Sequence, residues 1–343
     1  LPEAERARLP EAGPEVSPAT PAIADFRLDN GLRVLVAPTE GLPLVSARLN
    51  FAAGSAHDPA GKPGVAAMTA ALLTQGTAAR SAPEIATAIE QLGAAVGAGS
   101  GPDFANVYAN APKDVFDETV ALMADLVRNP VFAAEELERQ QSQTLDALRV
   151  ALSQPGSVAS QSVGRVIYGD APYGAPGGGT LESVPAITRE DVAAFHAGRY
   201  RPSQATLVFS GDIDPAEART LAEQAFGDWR DPAGAAPAAV DKAGPALPPR
   251  IVVIDQPGAG QAAVTAAIRG VSRTDADYFP LTLGNTLLGG GFSSRLNQEI
   301  RINRGLSYGA RAGLGTREDE GLFTASTQTK NETAVEVADL ILA

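Results

Sequence analysis

The sequence predicts a mixed α and β protein built from two similar halves. Three observations carry this. Short segments that alternate apolar and polar residues recur along the chain, as half-buried strands require, and they are interspersed with amphipathic stretches of helical period. A segment dense in Ala, Pro, Gly and Asp, residues 231–249, interrupts the pattern as a linker does. Beyond it, the strand, strand, loop, helix order of the first half starts again at Arg250, which suggests an internal duplication.

In chain order, Phe26 to Val36 reads as a hairpin with Asn30-Gly31 as a two-residue turn. Val45 to Ala52 alternates as a second strand, and Gly54 to Gly64 is a loop rich in Gly, Pro and Asp. Val65 to Thr74 is an apolar, Ala-rich helix. Ser81 and Glu84 form a capping box for the next helix. Phe104 to Ala109 is a strand, followed by amphipathic helices at Asp114–Arg128 and Ala133–Leu152, separated by Asn129-Pro130. Thr188 caps a further helix, Ala205 to Ser210 is a strand, and Pro215 to Trp229 is a helix. In the second half, Arg250–Asp255 and Ala262–Arg269 read as strands, and Ala276–Leu288 and Ser294–Asn303 as helices. Ser293 or Ser294 caps the latter helix and Gly305 ends it. A strand then starts at Leu306–Ala310, and Glu332–Leu342 is helical in pattern.

Composition narrows the function. With 343 residues, 44% hydrophobic and 20% charged, the chain has the balance of an ordinary globular protein with room for one to three domains. A net charge of -13 leaves no basic surplus to neutralise phosphates, so nucleic acid is not an expected partner. No apolar run reaches the roughly 18 residues of a spanning helix. There are no cysteines, which excludes thiolate zinc sites and cysteine nucleophiles and suits a periplasmic or secreted location. Residues 1–24, rich in Pro, Ala and Glu, read as an extended arm and lack the pattern of a signal peptide.

Only two histidines exist, His57 and His196, and they lie far apart in sequence, whereas a zinc hydrolase needs two or three close together. A lone loop histidine such as His57 is ordinarily solvated or capping, and His196, at a helix end, is placed to satisfy free carbonyls. Gly289-Gly290-Gly291 precedes a helix, but no Lys-Ser or Lys-Thr follows, so it reads as a tight turn and not as a phosphate loop.

Two stretches carry a family resemblance. Gly54 to Thr77 resembles the segment of insulinase-like (pitrilysin, M16) zinc peptidases in which a Gly-Ser loop leads into H-x-x-E-H and ends in Gly-Thr. Anchored on Gly64 and Gly76-Thr77, the first His position falls on Ala67, the catalytic Glu on Ala70 and the second His on Ala71. Two His at i and i+4 grip zinc from one helix face while the Glu acts as base on the bound water. Alanine does neither. The family's third ligand, a Glu on a later helix, falls on Ala147. The nearby Glu138 and Asp146 read as solvated helix-face charges.

The second stretch, Leu288 to Tyr308, resembles the C-terminal repeat of the same family, where an Arg and a Tyr seven residues later contact substrate across from the zinc. Here these are Arg301 and Tyr308. Both are hydrogen-bond donors suited to a peptide carbonyl and its oxyanion. Asn129 to Phe132, Tyr168 to Gly174 and Tyr200 to Asp212 resemble the family more loosely.

The resemblance implies an α+β fold of two similar domains, each a mostly antiparallel sheet with helices on one face, as in the insulinase and LuxS metalloenzyme-like duplication. The expected boundaries are an arm at 1–24, a first domain at 25–232, a linker at 233–249 and a second domain at 250–343 that is incomplete at its C-terminus. It also implies a non-catalytic subunit without a metal of its own. Such a subunit would hold peptide substrate in a cavity shared with an H-x-x-E-H partner that brings the zinc, or would self-associate. A structural or peptide-binding protein with no proteolytic partner is the alternative.

Overall fold

In a computed structural model of the chain, described for residues 13–14, 22–234 and 240–343, the alternating segments form two sheets. The expected N-terminal arm lies almost wholly outside the described residues.

The first sheet has six strands: β1 (Ala24–Arg27), β2 (Arg33–Pro38), β3 (Leu44–Phe51), β4 (Ala95–Ser100), β5 (Ala105–Pro112) and β6 (Ala205–Gly211). Their spatial order is β1-β2-β6-β3-β5-β4, antiparallel except where β2 meets β6. The two-residue periodicity decides which face is buried. Val34 and Val36, then Val45, Leu49 and Phe51, and then Leu207 and Phe209 point into one core, while Arg48, Asn50 and Asn106 alternate to the other face.

Helices accompany the sheet, and all but the second and fifth of them supply side chains to the other wall of that core. They are α1 (Val65–Leu72), α2 (Ala82–Gln91), α3 (Phe116–Arg128), α4 (Ala134–Leu152), α5 (Pro155–Tyr168), α6 (Arg189–Arg199) and α7 (Pro215–Phe226). The capping boxes at Ser81/Glu84 and Thr188/Asp191 form as read from sequence.

The second sheet has three antiparallel strands in the order β7-β9-β8: β7 (Ala262–Arg269), β8 (Ala310–Gly315) and β9 (Leu322–Thr329). The helices α8 (Tyr278–Gly289) and α9 (Ala334–Leu342) and a π-helical stretch at Asn297–Asn303 accompany it. Leu296, Ile300, Ala312, Ala325 and Val337 form its small core. Gly289 touches β8 so closely that a Cβ there would lie 2.1 Å from the Ala312 amide nitrogen, which only glycine avoids.

Three local expectations are corrected. The β1–β2 hairpin turns through Asp29, Asn30 and Gly31, closed by the Leu28–Leu32 pair, with Gly31 at φ 89. That is a three-residue loop with glycine in the left-handed position, and not a two-residue turn. Residues 250–255 form no strand, because no neighbouring strand pairs with them among the described residues. No serine side chain caps the helix after Phe292: Ser294 Oγ is buried with no hydrogen-bond partner, and the segment winds as a π-helix from Asn297. Gly305, at φ 64, does end that helix, and the Leu306 N–H donates back to the Ile300 carbonyl.

Candidate functional site

The helix that would carry the metal site is set by its N-terminus. The Asp58 carboxylate accepts from the backbone N–H of Gly64 and of Ala66, both at 2.7 Å, and so caps α1. Burial pushes the Asp58 pKa up to about 6, and the two amide donors pull against it. Gly64 sits at φ 104 against Gly179, where a Cβ would lie 2.9 Å from the facing Cα. Val65, Ala66, Met68 and Leu72 then point into the core. Ala67 and Ala71 are left on the partly exposed face, where an i, i+4 pair would grip a metal. Ala70 is buried, and Ala147, on the packed neighbour α4, is exposed.

These residues do not fit zinc. Four methyl groups offer no lone pair, and among the described residues no three His, Cys, Asp or Glu side chains gather closely enough to hold a metal ion. Neither histidine compensates. His196 Nε2 donates to the Val127 carbonyl at 2.9 Å, in the last turn of α3, and its ring stacks on Tyr200. Burial lowers its pKa to about 4, so it stays neutral. His57 is lowered as well, chiefly by burial and also by Arg199 and Lys242, and its Nδ1 is buried without a partner.

Ala67 lines a pocket of about 340 Å³ together with Ser55, Ser100, Tyr173, Gly177 and Arg317. A separate, larger cavity of about 1000 Å³ lies between α5 and the outer face of the second sheet. Thr265, Thr324, Ser326 and Gln328 from the sheet face Gln154 and Gln161 from the helix, so both walls are polar. Tyr308 lines this cavity and is 92% exposed. It stands in a bend two residues before β8, not within a strand. Arg301 lies in the π-helical stretch, its guanidinium 4.7 Å from the centroid of the Phe292 ring. Tyr308 and Ala67 therefore face different spaces, and Arg301 is not among the residues lining either.

Sequence reasoning missed the cluster that joins the two sheets. The Lys242 ammonium is buried between Asp103 (3.1 Å) and Glu318 (2.5 Å), and Tyr173 Oη donates to Asp103 at 2.5 Å. Burial alone would lower the Lys242 pKa, but the hydrogen bonds to Glu318 and Asp103 outweigh it and hold the lysine above its ordinary value. Asp103 lies in the β4–β5 loop, Glu318 in the β8–β9 loop and Lys242 in the connecting segment, so one buried cation ties all three. Tyr168 Oη donates to the Gly321 carbonyl at 2.5 Å beside it. The only sequence signal is Lys242 itself, a lone basic residue in a stretch otherwise of small, acidic and apolar residues.

A six-stranded sheet and a second three-stranded sheet that repeats the β3-β5-β4 order as β7-β9-β8 define a duplicated α+β scaffold. Residues 33–180 match the family model described as insulinase (peptidase family M16), and residues 186–343 match that of the peptidase M16 inactive domain. An uncharacterised zinc protease of Mycobacterium leprae is 32% identical over 87% of this chain and 67% of its own length. One of Mycobacterium tuberculosis is 32% identical over 91% and 72%. Among solved structures, a peptidase M16 inactive domain from Pseudomonas fluorescens superposes with a TM-score of 0.81 at 31% identity, covering 93% of this chain and 77% of that one. A Helicobacter pylori protease, at 20% identity and TM-score 0.87 over 94% and 79%, shares the fold. The chain belongs to the insulinase (M16) peptidase family.

Proposed function

We propose that this chain is the non-catalytic, substrate-binding subunit of a two-chain M16-type zinc peptidase. A partner bearing H-x-x-E-H brings zinc, base and water, and this chain closes the cavity and holds peptide with Arg301 and Tyr308. The observation that carries the reading is a combination within one chain. All four metal-site positions, Ala67, Ala70, Ala71 and Ala147, are alanine, yet the Arg-Tyr pair is kept and Tyr308 is exposed to a polar cavity of about 1000 Å³. A cavity walled by strands and amide side chains suits an extended peptide backbone, and β4, at the edge of its sheet among the described residues, offers strand addition. The absence of cysteine suits a periplasmic or secreted setting.

The test is co-purification with native partners, followed by a peptide-cleavage assay with and without chelator. The chain alone is expected to cleave nothing and to bind no stoichiometric zinc. The reconstituted pair is expected to cleave, and to lose activity on chelation and in Arg301→Ala and Tyr308→Phe. Unchanged cleavage by both variants refutes the assigned role. Absence of any proteolytic partner returns the chain to a structural or peptide-binding role.

A further inference from the structure

The pocket beside Ala67 is chemically inverted relative to a zinc site. Where the family places side chains that hold a dication, this chain leaves open space at Ala67, and the one charged residue lining the pocket is a fixed cation, Arg317. No Asp or Glu lines it. We propose that this pocket binds an oxyanion, either the C-terminal carboxylate of a peptide or phosphate, on the Arg317 guanidinium.

Arg317 is held in place but not neutralised. It reaches the pocket from the β8–β9 loop, and its guanidinium carbon lies 4.5 Å from the Tyr173 ring centroid and 5.0 Å from that of Tyr168. It donates one hydrogen bond, to the Tyr173 carbonyl at 3.3 Å, and pairs with no carboxylate among the described residues. Two aromatic faces orient the planar fork while most of its N–H groups stay unspent, a state suited to bidentate capture of a carboxylate or phosphate.

The neighbouring acids are already engaged elsewhere. Asp103 accepts from Tyr173 Oη, from Lys242 Nζ and from the Glu318 N–H. Glu318 pairs with Lys242, Glu320 pairs with Arg269, and Asp319 accepts from the Lys242 N–H.

Additional donors surround the space. Among the described residues, the hydroxyls of Ser55 and Ser100 and the backbone N–H groups of Gly177 and Gly178 have no protein hydrogen-bond partner, and all four residues line the pocket. A Cβ on Gly177 would lie 2.9 Å from Ser55 Oγ, so the hydroxyl stands against the glycine loop. At about 340 Å³ the space is at the small end of ligand pockets, the scale of an ionic head group and one or two neighbouring atoms groups of a peptide.

The experiment is calorimetric titration of the whole chain at low salt with three probes: inorganic phosphate, a short peptide ending in a free carboxylate, and the same peptide amidated. Saturable binding of phosphate or of the acid peptide is expected, with the amide about tenfold weaker or worse than the acid if a C-terminus is the ligand. Arg317→Gln is expected to weaken binding by about tenfold to a hundredfold, and Arg317→Lys by less. Ala67→Leu, which fills the pocket from α1 and leaves the cation intact, weakens it independently. Thermal unfolding of each variant shows that it is folded. Saturation by phosphate with amide and acid peptides binding equally assigns the site to phosphate; the proposal is overturned if phosphate does not saturate and the acid peptide binds no better than the amide, or if Arg317→Gln and Ala67→Leu leave affinity unchanged. Arg301 and Tyr308 are untouched in these arms, so the result is independent of the two-chain reading.

Discussion

β2 and residues 250–255 are the same kind of sequence in two different surroundings. Arg33-Val34-Leu35-Val36 and Arg250-Ile251-Val252-Val253 each stand one short loop ahead of the strand that opens a strand–helix unit. In the first sheet β6 runs between β2 and β3, so β2 is paired on both edges and Val34 and Val36 are fully buried. In the second sheet β7 has a neighbour on one edge only among the described residues, and Ile251 and Val253 are 94% and 86% exposed. The apolar stripe of α8 is likewise exposed at Phe279, Leu283 and Leu287. Residue pattern proposes a strand, and a neighbouring edge is what makes one.

The largest expected effect tests this contrast directly. Val34→Asp places a charge in the closed core and is expected to cost about 4 kcal/mol or more, enough to unfold a marginal domain. Ile251→Asp, at the matching position, is expected to stay within about 0.5 kcal/mol, because Ile251 is exposed. Urea unfolding of the two variants measures the difference, and equal losses would break the comparison.

The next effect concerns what joins the two regions. Lys242→Met leaves the Asp103 carboxylate buried without its cation and is expected to cost about 3–5 kcal/mol in the same assay. Glu318→Gln is expected to cost no more than about 1 kcal/mol, because that side chain is half-exposed. A loss in Lys242→Met no larger than in Glu318→Gln would show that the buried cluster does not tie the sheets together.

The acid limb of stability belongs to the first region. The folded pKa of His196, about 4, lies below the ordinary histidine value, so the unfolded chain binds more protons between those limits. Stability from its neutral burial is therefore complete above about pH 6.5 and is lost as pH falls toward 4, by roughly 3 kcal/mol in all. Asp58 runs the opposite way: its folded pKa of about 6 lies above the ordinary carboxylate value, and the cost of burying its charge is relieved as pH falls. Comparing His196→Gln with the native chain isolates the histidine. The variant should lack the loss between pH 6.5 and 4, and an unchanged pH slope would contradict a neutral buried His196.

Legibility followed the range of the interaction. The capping boxes, the α1 helix and the alanines at 67, 70, 71 and 147 were readable because each depends on local spacing. β4 was not, since Ala-Val-Gly-Ala-Gly-Ser has little strand propensity and pairs only because β5 offers an edge. Helix α5 was also missed: its Gly and Ser positions obscure the period, although Pro155 at its start was an available signal. It supplies one wall of the larger cavity, which only the structure brings opposite Tyr308, a residue singled out from sequence. The Asp103–Lys242–Glu318 cluster is set by tertiary approach, which no local pattern encodes.

The smallest effect on stability comes from removing one phenol oxygen in each of two places. Tyr168 is buried, and its hydroxyl donates to the Gly321 and Glu320 carbonyls, so Tyr168→Phe is expected to cost about 1–3 kcal/mol. The Tyr308 hydroxyl has no protein partner among the described residues and stands exposed at the cavity, so Tyr308→Phe should leave stability within about 0.5 kcal/mol. Thermal unfolding of the two variants side by side decides it: a loss in Tyr308→Phe comparable to that in Tyr168→Phe would make the tyrosine a structural residue and remove it from the binding surface.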